Sequence, residues 1–276
     1  MSKKLHRSDI VMYVKIKGFG INYNVEGLIT GIPVIFIHGF PFSQEMWKLQ
    51  VDVLKSEYYV VTYDVRGHGQ SDVGSAQYAI EYFVDDLIGL LDHLRISQCV
   101  LVGLSMGGYI ALRTAEREPD RIRGLVLCNT RSEADTNEQK IKRANQAKNV
   151  KIYGIKKFAD AFLKTVFAEK SFQQNQDAVK LIRKLIEQTS TSTIAGTLIA
   201  LAARTDSTPS LSRINVPALI MAGQFDEVTP PSLSISMKEK IPNAELQIIP
   251  HAAHISNLEN PEEFNKHLIN FLKKHD

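Results

Sequence analysis

The sequence predicts an α/β fold: a mostly parallel sheet flanked by helices and interrupted by a helical insertion. Three observations carry that expectation. Continuous apolar runs of strand length recur along the chain, amphipathic helical patterns separate them, and the strand signal vanishes between residue 131 and about residue 205 before it returns. Runs that are apolar at nearly every residue belong to strands buried on both faces, which is the habit of parallel sheets covered by helices. Repeated switching between strand and helix period selects the α/β class.

Residues Met12–Lys17 and Ile21–Glu26 alternate as the arms of a hairpin do, turning through Gly18, Phe19 and Gly20. Pro33–His38 (PVIFIH), Tyr58–Tyr63 (YYVVTY), Cys99–Leu104 (CVLVGL) and Ile122–Cys128 (IRGLVLC) read as buried strands. Helices are expected over Gln44–Leu54, over Ile80–Leu94 with Val84, Leu87, Leu91 and Leu94 on one face, and over Met106–Glu118, which Pro119 ends. In the insertion, Phe158, Phe162 and Val166 recur at every fourth position, as do Leu181 with Leu185 and Ile182 with Ile186. Strands resume at Pro217–Ala222 and Glu245–Ile249, with one helix opening near Pro230 and another from Pro261. The chain thus divides into a core of residues 1–130 and 206–276 and a helical insertion of residues 131–205.

Composition narrows the function classes. A chain of 276 residues, 44% hydrophobic, with 16 Gly and 10 Pro, is neither disordered nor collagenous and is long enough to bury a substantial core. The formal net charge is +3 and no Lys/Arg run is long enough for a nucleic-acid arm, so nucleic acid is not an expected partner. Cys99 and Cys128 sit inside apolar runs and read as reduced packing residues. The N-terminal stretch Met1–Gly18 is basic but is followed by no apolar stretch of signal-peptide length, and no uninterrupted apolar run is long enough to cross a bilayer, which leads to the expectation of a soluble, cytoplasmic protein. The histidines are scattered, without His-x-x-x-His or Cys-x-x-Cys spacing, so neither metal nor cofactor is expected. Residues 131–190 hold 13 Lys and Arg against 7 Asp and Glu. Such a surplus ordinarily marks a solvated face. Its Lys156, Lys157, Arg183 and Lys184 could also draw a carboxylate substrate or an acidic acyl-carrier protein.

The chemistry concentrates at Gly103-Leu104-Ser105-Met106-Gly107, where a buried strand meets a helix. In that setting G-x-S-x-G forms a nucleophile elbow: the turn thrusts the serine outward, and the positions two before and two after must be nearly free of side chain. A serine hydroxyl attacks only once a base removes its proton, and the base must be oriented by a carboxylate. Serine elbows of this kind are followed in the chain by the acid and then the histidine. Asp226 directly follows the strand Pro217–Ala222 and is the expected acid, with Glu227 as its neighbour and the strand end at Cys128 offering only Asn129 and Thr130. His254, on the loop before a Pro-initiated helix, is preferred over His251 as the base. An oxyanion needs two donors, and the backbone N–H groups of Met106 and of Phe40, in the loop His38-Gly39-Phe40-Pro41, are the candidates. His38 and the turn Asp64-Val-Arg66-Gly67-His68-Gly69-Gln70-Ser71 read as structural. Phe42 and Trp47, with Phe40, Met46 and Met106, are near enough in sequence to be candidates for substrate contact.

Taken together, His38-Gly39-Phe40, Asp64-x-Arg66-Gly67-x-Gly69-x-Ser71, Gly103-Leu104-Ser105-Met106-Gly107-Gly108, Asp226 and His254 resemble the α/β-hydrolase superfamily nearly end to end. The Gly-Leu-Ser-Met-Gly-Gly elbow and the stretch Asn129-Thr-Arg131-Ser-Glu133-Ala-Asp135-Thr look like those of small carboxylesterases and 3-oxoadipate enol-lactonase-like hydrolases. The resemblance implies an α/β-hydrolase fold with an eight-stranded, mostly parallel sheet and a helical cap over the active site. It also implies hydrolysis of a small-molecule ester or lactone through an acyl-enzyme on Ser105. Haloalkane dehalogenases and epoxide hydrolases, which the superfamily builds on an aspartate nucleophile, fit less well. Perhydrolase or haloperoxidase-like activity, carbon–carbon bond hydrolysis and acyl transfer would reuse the same three residues, and a ligand receptor on the same fold is the non-enzyme alternative.

Overall fold

The computed structural model describes residues 12–276, so the basic opening stretch read above for a targeting signal lies largely outside the described residues. Eight strands form one sheet: β1 (Met12–Ile16), β2 (Phe19–Gly27), β3 (Pro33–Ile37), β4 (Tyr59–Tyr63), β5 (Cys99–Leu104), β6 (Ile122–Cys128), β7 (Ala218–Gly223) and β8 (Ala244–Ile249). Their spatial order is β1-β2-β4-β3-β5-β6-β7-β8. The β1–β2 hairpin joins β4 antiparallel, and every pairing from β4 onward is parallel. The inner strands carry the unbroken apolar runs because both of their faces are covered: β5 and β7 are buried at every residue, whereas the edge strand β8 is mostly half-buried.

Helices α1 (Lys48–Leu54), α2 (Ile80–His93), α3 (Met106–Arg117), α8 (Pro231–Lys240), α9 (Ser256–Glu259) and α10 (Pro261–Lys274) accompany the sheet. The expected helix from Gln44 begins as a 3₁₀ turn, Gln44–Trp47, before α1 takes over. Asn260 caps α10, followed by Pro261, with Glu262 and Glu263 in the first turn and Lys273 and Lys274 in the last, all of which suit the helix dipole. The Asp64–Ser71 turn is held by buried polar contacts within itself and to its neighbours. The Asp64 carboxylate accepts from the backbone of Gln44 and Gln70, and Arg66 makes a buried two-point pair with Asp86.

Between β6 and β7 lie α4 (Asn137–Val166), α5 (Ser171–Gln174), α6 (Gln176–Gln188) and α7 (Thr191–Ala202). Thr136 and Gln139 form a reciprocal capping box at the start of α4. At Gly154 (φ 81°, ψ 172°) α4 breaks into two helical pieces, a conformation open essentially to glycine alone. In α6 a stripe of Ile182, Leu185 and Ile186 is buried, and in α7 Ile194, Leu198 and Leu201 are. The segment is fastened to the core by Lys184 on Glu45 (2.9 Å), by Thr189 Oγ1 donating to the Pro41 carbonyl, and by His254 N donating to the Val166 carbonyl (3.0 Å). No described helix is long and apolar enough to cross a membrane.

Candidate active site

Ser105 occupies the corner between β5 and α3 with φ 54° and ψ −112°, a strained conformation for a residue carrying a side chain. The surroundings explain why glycines flank it. A Cβ on Gly103 would lie 2.3 Å from the Gly107 carbonyl oxygen, and one on Gly107 would lie 2.1 Å from the Ile37 carbonyl oxygen. Strand and helix therefore close on each other backbone to backbone, and the corner residue is pushed outward. The carboxyl end of β6 completes the support: Ser105 N donates to the Cys128 carbonyl (2.9 Å), and Thr130 Oγ1 donates to the Ser105 carbonyl (2.8 Å).

The loops after β7 and β8 meet on the same strand end. Asn129 Nδ2 donates both to Asp226 Oδ2 (2.9 Å) and to the Ala253 carbonyl (3.0 Å), while Asn129 Oδ1 accepts from Ser256 Oγ. Asp226 is 3% exposed, and its Oδ2 lies 2.8 Å from His254 Nδ1. The same carboxylate accepts from Thr229 Oγ1 (2.7 Å) and from the backbone N–H groups of Val228 (2.8 Å) and Thr229 (2.9 Å). Burial pushes its pKa up, but His254 and these donors outweigh burial and hold it at about 2. An ionised carboxylate can only accept, so Nδ1 of His254 is the nitrogen that carries a proton toward Asp226, which selects the tautomer whose other nitrogen, Nε2, is the acceptor. Cys128, Asn129 and Thr130 thus bring Ser105, Asp226 and His254 to one corner of the sheet. Asn129, Thr130 and Thr229 do this positioning; Asn129 and Thr130 were set aside in the sequence because neither is a carboxylate, although the end of a central strand was itself a signal, and Thr229 carried no signal.

The other singled-out residues separate clearly. His251 and Glu227 are exposed and lie outside the Asp226–His254 pair. His38 is fully buried, accepting from Val65 N through Nε2 (2.9 Å), and burial beside His68 lowers its pKa to about 3. Among the described residues no acceptor faces the backbone N–H of Phe40 or of Met106. Phe40 borders a cavity of about 630 Å³ whose wall also includes Tyr109, Arg131, Arg143, Phe158, Phe162 and Leu198. Phe42 and Trp47 do not line it. Trp47 is fully buried between Phe36 (4.9 Å between ring centroids) and Phe264 (6.3 Å), and Phe42 sits behind Phe162 (6.2 Å). Their sequence proximity to Phe40 misleads because the 3₁₀ turn rolls Trp47 beneath the sheet. The insertion's cations also redistribute: Arg183 pairs with Asp160 and Glu187, and Lys184 with Glu45, leaving Lys157 on the cavity wall. A larger, open groove of about 1110 Å³, lined by Phe167, Phe172, Phe225 and His251 among others, lies on the other side of Thr165 and Glu227.

Comparison with known proteins agrees with this architecture. Residues 32–261 match the family model described as the alpha/beta hydrolase fold. The chain is 31% identical over 245 residues to 3-oxoadipate enol-lactonase 2 of Acinetobacter baylyi, covering 89% of this chain and 90% of that protein. Among solved structures it superposes on a thermophilic esterase from Thermogutta terrifontis with malate bound, at TM-score 0.90 and 34% identity, covering 96% of this chain and 97% of the other. It superposes equally on the enol-lactonase from Burkholderia xenovorans LB400, at TM-score 0.89 and 30% identity, covering 95% and 100%.

Proposed function

Since the chain belongs to the α/β-hydrolase family, we propose that it hydrolyses a carboxylic ester or lactone of a small molecule through an acyl-enzyme on Ser105. The observation that carries this reading is the convergence of Ser105, His254 and Asp226 on the Cys128–Thr130 strand end. Its similarity to an enol-lactonase and an esterase supports the choice of ester chemistry.

In this reading His254 Nε2 takes the Ser105 hydroxyl proton as Oγ adds to the substrate carbonyl. Asp226, kept ionised, stabilises the imidazolium that results and fixes the tautomer. The tetrahedral oxyanion receives the backbone N–H groups of Phe40 and Met106, the latter at the amino end of α3 where the helix dipole adds to the attraction. The imidazolium returns its proton to the leaving alkoxide, or to the ring oxygen of a lactone. Water then enters, loses a proton to His254 and releases the acid. Removal of one oxyanion donor costs about 10²–10³ in kcat, which sets the scale each backbone contact contributes.

The test is hydrolysis of p-nitrophenyl esters from acetate to decanoate, together with simple lactones, by the protein and its Ser105→Ala variant. Turnover abolished in Ser105→Ala supports the reading, and turnover retained by a contamination-free variant overturns it.

A further inference from the structure

The amino-terminal piece of α4, from Asn137 to the break at Gly154, is packed along one side only. Ala147 and Val150 are its buried positions, with Gln146 and Arg143, the latter paired to Asp135, half-buried beside them. At about 3.6 residues per turn, the side opposite this strip belongs to Ile141 and Ile152, which are eleven residues and so about three turns apart, with Asn145 and Lys148 between them. Ile141 is 62% exposed and Ile152 58%. Both are β-branched, and an exposed helix position gains nothing from a β-branched side chain.

The charge around this crest is of one sign. The piece carries Lys140, Lys142, Arg143, Lys148 and Lys151 against Glu138 alone. Lys148 lies on the crest itself, Lys140 and Lys151 on one flank, and Lys142 on the other, where Gln146, Asn149 and Tyr153 border the cavity. All four lysines are exposed, and among the described residues none has an ion-pair partner, unlike Lys184, Lys266 and Lys274. A face built only for solvation mixes the two signs and keeps isoleucine off its outermost line. Here the outermost line is apolar and its flanks are cationic. That is the arrangement of a helix lying in a membrane interface, where apolar side chains enter the acyl boundary and long lysine stems carry their charges back to the headgroups.

We propose that this face of α4, Asn137 to Tyr153, docks on a bilayer rich in anionic lipid, so that the protein lies on the membrane without crossing it. A helix crest is convex, and its two isoleucines stand roughly 16 Å apart along the axis, so it fits a flat, deformable surface better than a folded partner. A nucleic acid would use the lysines and leave the isoleucines in water. The helix is already formed: Thr136 and Gln139 cap it, and Ala147 and Val150 anchor it. Docking therefore avoids the ordering cost met by a segment that folds as it binds. Two isoleucines bury little area and the lysines act only within a Debye length, so the adsorption needs both and is weak, reversible and sensitive to salt. The surface is independent of the ester chemistry and stands whether or not Ser105 is a nucleophile.

The experiment sediments the full chain with sucrose-loaded vesicles of phosphatidylcholine alone, or of phosphatidylcholine with one third phosphatidylglycerol, at low and high NaCl. Wild type is compared with Lys140→Gln/Lys148→Gln/Lys151→Gln, with Ile141→Gln/Ile152→Gln, and with Lys238→Gln/Lys240→Gln/Lys273→Gln as a charge-matched control outside the insertion. Melting temperatures are recorded for each, and none of the substituted residues lines the cavity. Because Cys99 and Cys128 are both buried, a polarity-sensitive fluorophore can be attached to Ile152→Cys and, as a control, to the exposed position in Glu239→Cys. Partitioning is expected onto the anionic vesicles only, and is lost at high salt. It falls about 100-fold in the α4 lysine triple, at about fivefold for each lysine near the surface, and about 10-fold in the isoleucine double. The control triple retains most of the wild-type partitioning. The fluorophore on Ile152→Cys shifts to the blue on anionic vesicles, and that on Glu239→Cys does not.

Absence of partitioning onto anionic vesicles at low salt overturns the proposal. Partitioning that the α4 and control lysine triples reduce equally also overturns it, since that assigns the attraction to overall charge. Partitioning without the blue shift, and indifferent to the isoleucines, overturns it as well and assigns the cationic face to an acidic protein or a nucleic acid.

Discussion

Two buried strand glycines, Gly103 in β5 and Gly124 in β6, allow the elbow geometry to be tested against simple strand propensity. Both lie in the sheet interior, and on propensity alone Gly→Ala would stabilise each by about 0.5–1 kcal/mol. Their surroundings are opposite. An added Cβ at Gly103 meets the Gly107 oxygen at 2.3 Å, the Gly107 carbonyl carbon at 2.4 Å and the Gly108 nitrogen at 2.7 Å, whereas at Gly124 the nearest atom is the Pro217 oxygen at 3.5 Å. Carbon contacts settle at about 3.5 Å, so Gly103→Ala must push the start of α3 away from β5 by about 1 Å. Because the obstructing atoms are backbone at the start of a packed helix, no rotamer change relieves them. The expected cost is about 2–4 kcal/mol, the upper end of overpacking. A 1 Å displacement of Ser105 would also lower kcat/KM by about 10². Gly124→Ala should be neutral or stabilising, with unaltered kinetics. Urea denaturation and ester hydrolysis of both variants decide the matter. Gly103→Ala within 0.5 kcal/mol of wild type, on the scale of an ordinary surface change, would refute the reasoning, and so would equal losses in the two variants.

The strain at Ser105 gives a second expectation. Ser105→Gly should be inactive yet more stable than Ser105→Ala by about 1 kcal/mol, since glycine relieves the φ of 54° and alanine does not; a less stable glycine variant in thermal melts would count against it. For Asp226, a folded pKa lowered from 3.8 to about 2 contributes about 2 kcal/mol of stability that is fully present above pH 4 and lost as pH falls toward 2. Asp226→Asn should therefore lose activity by about 10⁴ and have a flatter acid limb of stability, and a wild-type minus variant difference independent of pH between 5 and 2 would contradict this. Gly154→Ala meets no atom within 4 Å yet must adopt φ 81°, so it should cost about 1–3 kcal/mol and raise KM by moving the cavity wall. Unchanged melting and KM would show that the break in α4 does not depend on glycine.

The fold was legible because burial on both faces writes itself into sequence: β5 and β7 are apolar throughout and are bounded by turn residues, whereas the equally apolar run Met106–Leu112 runs on into the polar positions of a longer helix. The chain positions of Ser105, Asp226 and His254 were legible for a related reason, since each lies just past the end of a strand and the ends of parallel strands gather at one edge. What escaped the sequence is what folding closes over long separations. Trp47 against Phe264 and Asp135 against Arg204 are pairings that no local pattern announces. The charge count over the insertion found a real surplus, but which of its cations face the cavity depends on partners met after folding: Lys157 lines it, while Arg183 and Lys184 are paired elsewhere. Lys184 meets Glu45 only after the segment docks, and Arg143 shares its carboxylate partner Asp135 with two other arginines.

His254 N donates to the Val166 carbonyl, and the loop bearing His254 stands on Glu259, which is 7% exposed. Glu259 accepts through Oε2 from Ala253 N (2.7 Å) and through Oε1 from Ala168 N (2.8 Å) and Ser171 Oγ (2.6 Å), and its own carbonyl accepts from Asn175 Nδ2 (2.8 Å). The loop bearing His254 and the inserted segment thus share one keystone. Grafting a foreign segment in place of residues 167–175 would take the Ala168 and Ser171 donors from this buried carboxylate, at a cost of about 1–3 kcal/mol. Substrate range in this scaffold can be exchanged only as a matched set: the helices above, the glutamate below, and the histidine loop carried between them.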